Sequence, residues 1–183
     1  MRKTLIATGI VLATMTAAHA ETPATNTMSN FSYDYAEARI GIDPLTYGGG
    51  FSMSIHPNAH ITGSVDTRFK SDWDANIGVG FHAPVNNWAD ITGEIKALNV
   101  KNDRYNSSGG KMGVEVNLGV RQWLGPQFEV GGQIGHTTIS DDDKVIGSIT
   151  GRFHATELFS IGAEGKFNGL YGDQIILTTR FKL

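Results

Sequence analysis

From Tyr35 to Leu183 apolar and polar residues alternate with a period of two, and no stretch shifts to the spacing of an amphipathic helix. The clearest run is Trp73 to Val85, where Ala75, Ile77, Val79, Phe81, Ala83 and Val85 alternate with Asn76, Gly78, Gly80 and His82. Three earlier segments, Tyr35 to Ile42, Tyr47 to His56 and Ala59 to Phe69, follow the same rule. Six later ones are marked by Ile91 and Ile95, Met112 to Val120, Phe128 to Ile134, Val145 to Phe153, Phe159 to Phe167, and Ile175 to Leu183. Turn-rich stretches separate them, so the pattern predicts about ten β-strands joined as hairpins, with eight or twelve as the alternatives. The echo of "ITGSV", "ITGEI", "VGGQI" and "IGAEG" at matching places supports one repeated hairpin unit rather than separate domains.

The apolar faces of these segments carry no Asp, Glu, Lys or Arg. The opposite faces carry Glu37, Arg39, Asp66, Arg68, Glu94, Lys96, Glu115, Arg121, Glu129, Arg152, Glu164, Lys166 and Arg180. Such sorting has two solutions: an apolar face in hydrocarbon with the charges in a lumen, or a soluble β-protein with the apolar face as its core. The segments run to about 9 to 11 residues, the length of a tilted bilayer crossing, against about 5 to 6 for soluble strands. Short turns ("HPN", "NNW", "GPQ", "TEL") follow the even-numbered segments, while more polar connections follow the odd ones. Aromatic residues fall at segment ends in two groups: Trp88, Trp123, Phe128, Phe153, Phe159 and Phe181 near the short turns, and Tyr47, Phe69, Trp73, Phe167 and Tyr171 near the polar loops. Two such girdles are expected where rings sit between hydrocarbon and water. A closed sheet also explains why the sequence finishes inside an alternating segment, because the last strand must pair with the first. The expected fold is all-β: a closed, antiparallel, up-and-down transmembrane β-barrel.

Residues 1–20 read as a cleavable export signal, with basic Arg2 and Lys3, an apolar run from Thr4 to Met15, and Ala18-His19-Ala20 as the cleavage site. Residues 21–30 read as a flexible polar leader and 31–183 as the barrel. Of 183 residues 23 are Gly and none is Cys, which removes disulfides and thiolate metal sites from consideration. Processing removes two cations and no acid, taking the formal charge from -3 to -5 and arguing against a nucleic-acid partner.

The export signal, the alternating strands and the closing "QIILTTRFKL" together resemble the small outer-membrane β-barrel proteins of Gram-negative bacteria, a broad group that includes OmpX/Ail-like and opacity-type proteins. The resemblance implies residence in the outer membrane, contact with its lipid and lipopolysaccharide, insertion by the barrel assembly machinery, and a monomer. Phe181 and Leu183 stand where the group's terminal assembly signal lies, although that signal usually finishes on Phe rather than Leu.

Little in the sequence points to catalysis, and no cofactor or resident metal is expected. His136 in "GHTTISDDD" sits near Thr137, Ser140 and Asp141 to Asp143, but adjacency in sequence does not place a base on a nucleophile, and a rim histidine beside a solvated acidic loop accounts for it. His56, His60 and His82 occupy lumen-phase positions near the short turns, where polar packing is the simpler reading than a metal site. The loop Lys101 to Gly110, with Arg104 and Tyr105, is the longest outer connection and the expected contact surface. Ten strands give at most a narrow interior. The expected function is therefore structural or surface-interacting with a mostly packed polar lumen, and the alternative is a narrow diffusion channel.

Overall fold

A computed structural model describes residues 30–102, 105 and 109–183. The export signal, nearly all of the leader and Arg104 lie outside the described residues. Ten strands form: β1 (Tyr35–Ile42), β2 (Thr46–His56), β3 (Ala59–Thr67), β4 (Trp73–Asn86), β5 (Ala89–Lys101), β6 (Lys111–Trp123), β7 (Phe128–Ile139), β8 (Asp142–His154), β9 (Phe159–Gly169) and β10 (Gly172–Lys182). Each pairs antiparallel with its chain neighbours, and β1 pairs β10 from Tyr35↔Lys182 to Ile42↔Ile175, which closes the barrel. Closure leaves no edge with unsatisfied backbone groups, the condition for strands to cross hydrocarbon.

The exposure pattern is inside out relative to a soluble protein. Ile77, Leu118 and Ile134 are 58%, 64% and 63% exposed, whereas Asp90, Asn117 and Ser52 are 1%, 2% and 1% exposed. Large apolar side chains cover the outside of all ten strands, far beyond the few hundred Å² of contiguous apolar surface that a water-soluble monomer tolerates. This is the lipid-facing solution of the two that alternation allowed. No helix among the described residues is long and apolar enough to cross a membrane.

The turns are less asymmetric than their polarity suggests. Residues 57–58 and 87–88 close tight turns at the short-turn end, but residues 140–141 and 170–171 are equally tight at the other. Ser140 takes a left-handed backbone (φ 55°), which matches the twist of a two-residue hairpin. Only the β5–β6 connection is long. Two residues assigned to the aromatic girdles also turn elsewhere. Trp123 stacks on Phe31 at the barrel mouth, and Tyr171 reaches over the loop-end rim to donate to the Asp66 carbonyl at 3.3 Å. In both cases a polar or aromatic partner inside the mouth outcompetes the lipid interface.

Candidate functional site: the lumen

The inward faces of the strands bring most of the charged side chains together. Near mid-barrel Glu37 accepts from three guanidinium groups: Arg39 at 3.2 Å, Arg152 at 2.9 Å and Arg180 at 2.8 Å. Arg152 also donates to Ser160 and Thr178, and Arg180 lies 3.5 Å from the centre of the Tyr35 ring. Arg39 turns its remaining donors toward Asp66 (3.2 Å) and Glu164 (3.7 Å). Across the lumen Lys96 pairs with Glu94 at 2.6 Å and Glu115 at 3.8 Å, and Lys166 approaches Asp74 at 3.8 Å. Arg121 binds Glu129 at 2.8 Å, and the other Glu129 oxygen meets His154 at 3.1 Å. Charges in so narrow a space are tolerable because each is shared by several partners. Between them remains a cavity of about 200 Å³ lined by Glu37 and its three arginines, Lys96, Glu115, Arg121 and Glu129 together with Thr92, Gln133 and Ser148.

Arg68 is the exception among the charges assigned to the lumen. It lies just past the end of β3, where its side chain and backbone both bind Asp72 and its guanidinium stacks 5.4 Å over Tyr171. Burial alone would raise the Asp72 carboxyl, but the Arg68 guanidinium and the backbone amides of Lys70 and Arg68 hold it below the usual aspartate range. Beside this pair a hollow of about 620 Å³ opens at the rim, lined by Arg68, Lys144, Asn102, Asn168 and Tyr171.

Both mouths are filled, by residues that the alternation did not single out. At the loop end Leu98 and Val100 of β5, Ile139 of β7 and Tyr105 form a buried apolar cluster against which Leu170 packs. At the short-turn end the segment before β1 folds into the barrel, with Phe31 and Tyr33 only 6% and 5% exposed. The Tyr33 ring stacks on His82 at 3.7 Å and on His60 at 4.7 Å, and its hydroxyl donates to Asp90 at 2.9 Å. Arg121 caps both aromatic rings, 4.7 Å from Phe31 and 4.8 Å from Tyr33. Asp74 and Asp90 are further buried lumen carboxylates. Their inward phase is readable in the sequence, but Asp74 falls at a strand start where the phase has few neighbours to fix it.

Of the histidines, His60 and His82 meet inside, Nδ1 to Nδ1 at 3.3 Å, while His56 stays exposed, its Nδ1 accepting from the Asn58 amide. Among the described residues no group of three His, Asp or Glu side chains is arranged to hold a metal. His136 stands exposed on the outer surface, 3.5 Å from Asp143, whose same oxygen also accepts from the Thr138 hydroxyl.

No family model matches the chain. No curated protein matches it either. Solved structures do. The KdgM porin, in complex with disordered oligogalacturonate, superposes with a TM-score of 0.54 at 9% identity, covering 81% of this chain and 99% of that one. Two looser likenesses are an outer membrane channel of Pseudomonas putida F1 (TM-score 0.44, 12% identity, 75% of this chain and 64% of that one) and Omp33 of Acinetobacter baumannii (0.42, 7%, 82% and 98%). The fold is an outer-membrane β-barrel. With its apolar outer band and polar interior, the place of this barrel is the bacterial outer membrane. The first of these neighbours is a porin by its description, and the narrower OmpX/Ail-like or opacity-type grouping gains no support from it.

Proposed function

We propose that this protein is a narrow outer-membrane channel for small polar or ionic solutes, held shut in the conformation described. The observation that carries this reading is the cavity of about 200 Å³ in mid-lumen, bounded by ion-paired side chains rather than filled by an apolar core. A space of that size admits on the order of ten waters, and its walls supply donors and acceptors of both charges. The KdgM likeness supports the architecture and leaves the solute open. Single-channel recording in a planar bilayer tests the reading: discrete, reproducible steps are expected, and a quiet membrane with verified insertion overturns it.

A second reading, a non-conducting structural or surface-interacting barrel, is favoured by the apolar seal of Leu98, Val100, Ile139 and Leu170 at the loop end. Under it the rim and the β5–β6 connection meet lipopolysaccharide or another partner, and the lumen only stabilises the barrel. The two readings separate on Val100→Ser, which makes the seal polar. A channel gains open time in this variant, and a structural barrel stays silent. In either case insertion by the assembly machinery through Phe181 and Leu183, and a monomeric state, belong to the proposal.

A further inference from the structure

We infer that residues 30–33 are a tethered stopper of the short-turn mouth, docked by aromatic stacking and released when the histidine pair beneath it takes up a second proton. The inference rests on the channel reading for its physiological use but not for its test. Phe31 and Tyr33 enter the barrel from a segment that belongs to no strand, and both are as buried as the lumen wall. At the segment's outer end Asn30, exposed, is tied to the barrel through a 2.7 Å hydrogen bond to the Asn87 carbonyl. Phe31 and Tyr33 leave without breaking the strand ladder, because the first ties of the seam, from the Leu183 amide to the Asp34 carbonyl and from the Ser54 amide to the Asp34 carboxylate, come after them.

The seat is built so that protonation weakens it. His60 and His82 face each other Nδ1 to Nδ1 at 3.3 Å, which requires one nitrogen to donate and the other to accept. The Nε2 of His82 lies 2.9 Å from the Pro57 carbonyl, an acceptor, which fixes the proton on that nitrogen. His82 Nδ1 is then the acceptor of the pair while both rings share one proton there. When both imidazoles are charged, two N–H groups point at each other and the pair comes apart. Tyr33 stacks on both rings, so separating them removes its platform.

The surrounding charges set the balance. Glu94 lies 3.8 Å from His60 Nε2 and favours a first positive charge there. Asp90 on β5 holds the Tyr33 hydroxyl and partly offsets charge on His82. Arg121 on β6, over the Tyr33 ring, opposes the second charge. Beneath Phe31, Trp123 also packs at a tilt on His154, whose Nε2 meets Glu129 at 3.1 Å, so the proton-sensitive part of the seat is the His60–His82 pair alone. Histidine is the side chain that changes charge between about pH 8 and pH 5. The docked state therefore belongs to neutral conditions and the released state to mildly acidic ones.

The sequence contains no cysteine, so Asn30→Cys, which gives up the Asn87 hydrogen bond but leaves both rings seated, accepts a single nitroxide spin label on the exposed end of the segment. In the folded, detergent-solubilised chain the label is expected to be immobilised near neutral pH and to narrow its lines progressively toward about pH 5, with the released fraction rising roughly tenfold. Adding Tyr33→Ala should give the mobile spectrum at every pH. Adding His82→Phe, which keeps a ring under Tyr33 and cannot charge, should keep the label immobilised in acid. A label that stays immobilised through acidification overturns the inference. Equal narrowing with His82→Phe overturns the proton switch. Conductance recorded alongside, in a chain whose loop-end seal is opened by Val100→Ser, separates the two proposals: line narrowing without current sinks the channel and leaves the stopper, while acid-induced current without line narrowing sinks the stopper and leaves the channel.

Discussion

At the scale of single residues, Glu37 holds the centre of the lumen. Three guanidinium groups converge on one carboxylate, so removing its charge takes from Arg152 and Arg180 the carboxylate they pair with in a confined space, while Arg39 keeps Asp66 and Glu164; removing one arginine leaves two on Glu37. Glu37→Gln is expected to lower unfolding stability by about 3 to 5 kcal/mol, the usual cost of leaving buried charge uncompensated. Arg152→Met should cost clearly less in the same urea titration in detergent or lipid vesicles. Comparable losses would show that the cluster is not organised around Glu37. The carboxyl of Asp72 gives a pH prediction outside the membrane. Its folded value is depressed by Arg68 and two amides although burial works the other way. Its contribution is therefore complete above the unfolded value of about 4 and is lost as the pH falls toward the lowered folded value. The difference in unfolding midpoint between the native chain and Asp72→Asn should be constant at neutral pH and shrink only in strong acid. A difference that instead grows on acidification would contradict the assigned direction.

At the scale of elements, each strand is a two-faced object whose outer residues touch hydrocarbon. Ile95 at the middle of β5 is 57% exposed and flanked inward by Glu94 and Lys96. Ile95→Arg is therefore expected to cost about 2 to 4 kcal/mol in a bilayer, the depth-dependent charge of the lipid face. A loss near zero would mean that Ile95 does not lie at the membrane centre. The same strand shows where alternation misleads. Leu98 and Val100 continue the inward phase of Glu94 and Lys96, yet they are apolar and form a seal. Their phase is legible, but their hydrophobicity suggests the wrong face, because the pattern carries no sign for an apolar residue packed against other strands across a lumen. Trp123 fails for the opposite reason: its position near a turn suits a girdle, but it shares the inward phase of Arg121, and its ring packs on Phe31 and His154 inside the mouth. Gly80 shows a related constraint on β4. The His60 ring lies directly over it, in the space a side chain there would occupy. Gly80→Ala should thus displace His60 and loosen the Tyr33 seat, seen as greater mobility of a label at position 30, while an unchanged label would show that the ring adapts.

At the scale of the whole molecule, closure between β1 and β10 makes the barrel one cooperative unit, and the last residues are part of the seam. Phe181 stands opposite Ala36 and stacks on Phe159 at 5.0 Å, while the Leu183 amide donates to the Asp34 carbonyl at 3.0 Å. Phe181→Ala is expected to reduce the fraction that runs as a folded, heat-modifiable band on unboiled gels, and the protein should sediment with membranes rather than appear in osmotic-shock fluid. Release in soluble form without detergent would contradict the lipid-facing exterior. The strands, their phase, the side on which charges gather and the presence of a lumen were determined by the sequence alone, because a period of two assigns each residue to one of two faces and charge cannot reside in hydrocarbon. Closure at ten strands, the convergence of three arginines on Glu37, the apolar seal and the folding of Phe31 and Tyr33 into the mouth were decided only by the tertiary structure. These depend on register and on contacts across the barrel between residues far apart in the chain, about which the local alternation of polar and apolar positions carries no information.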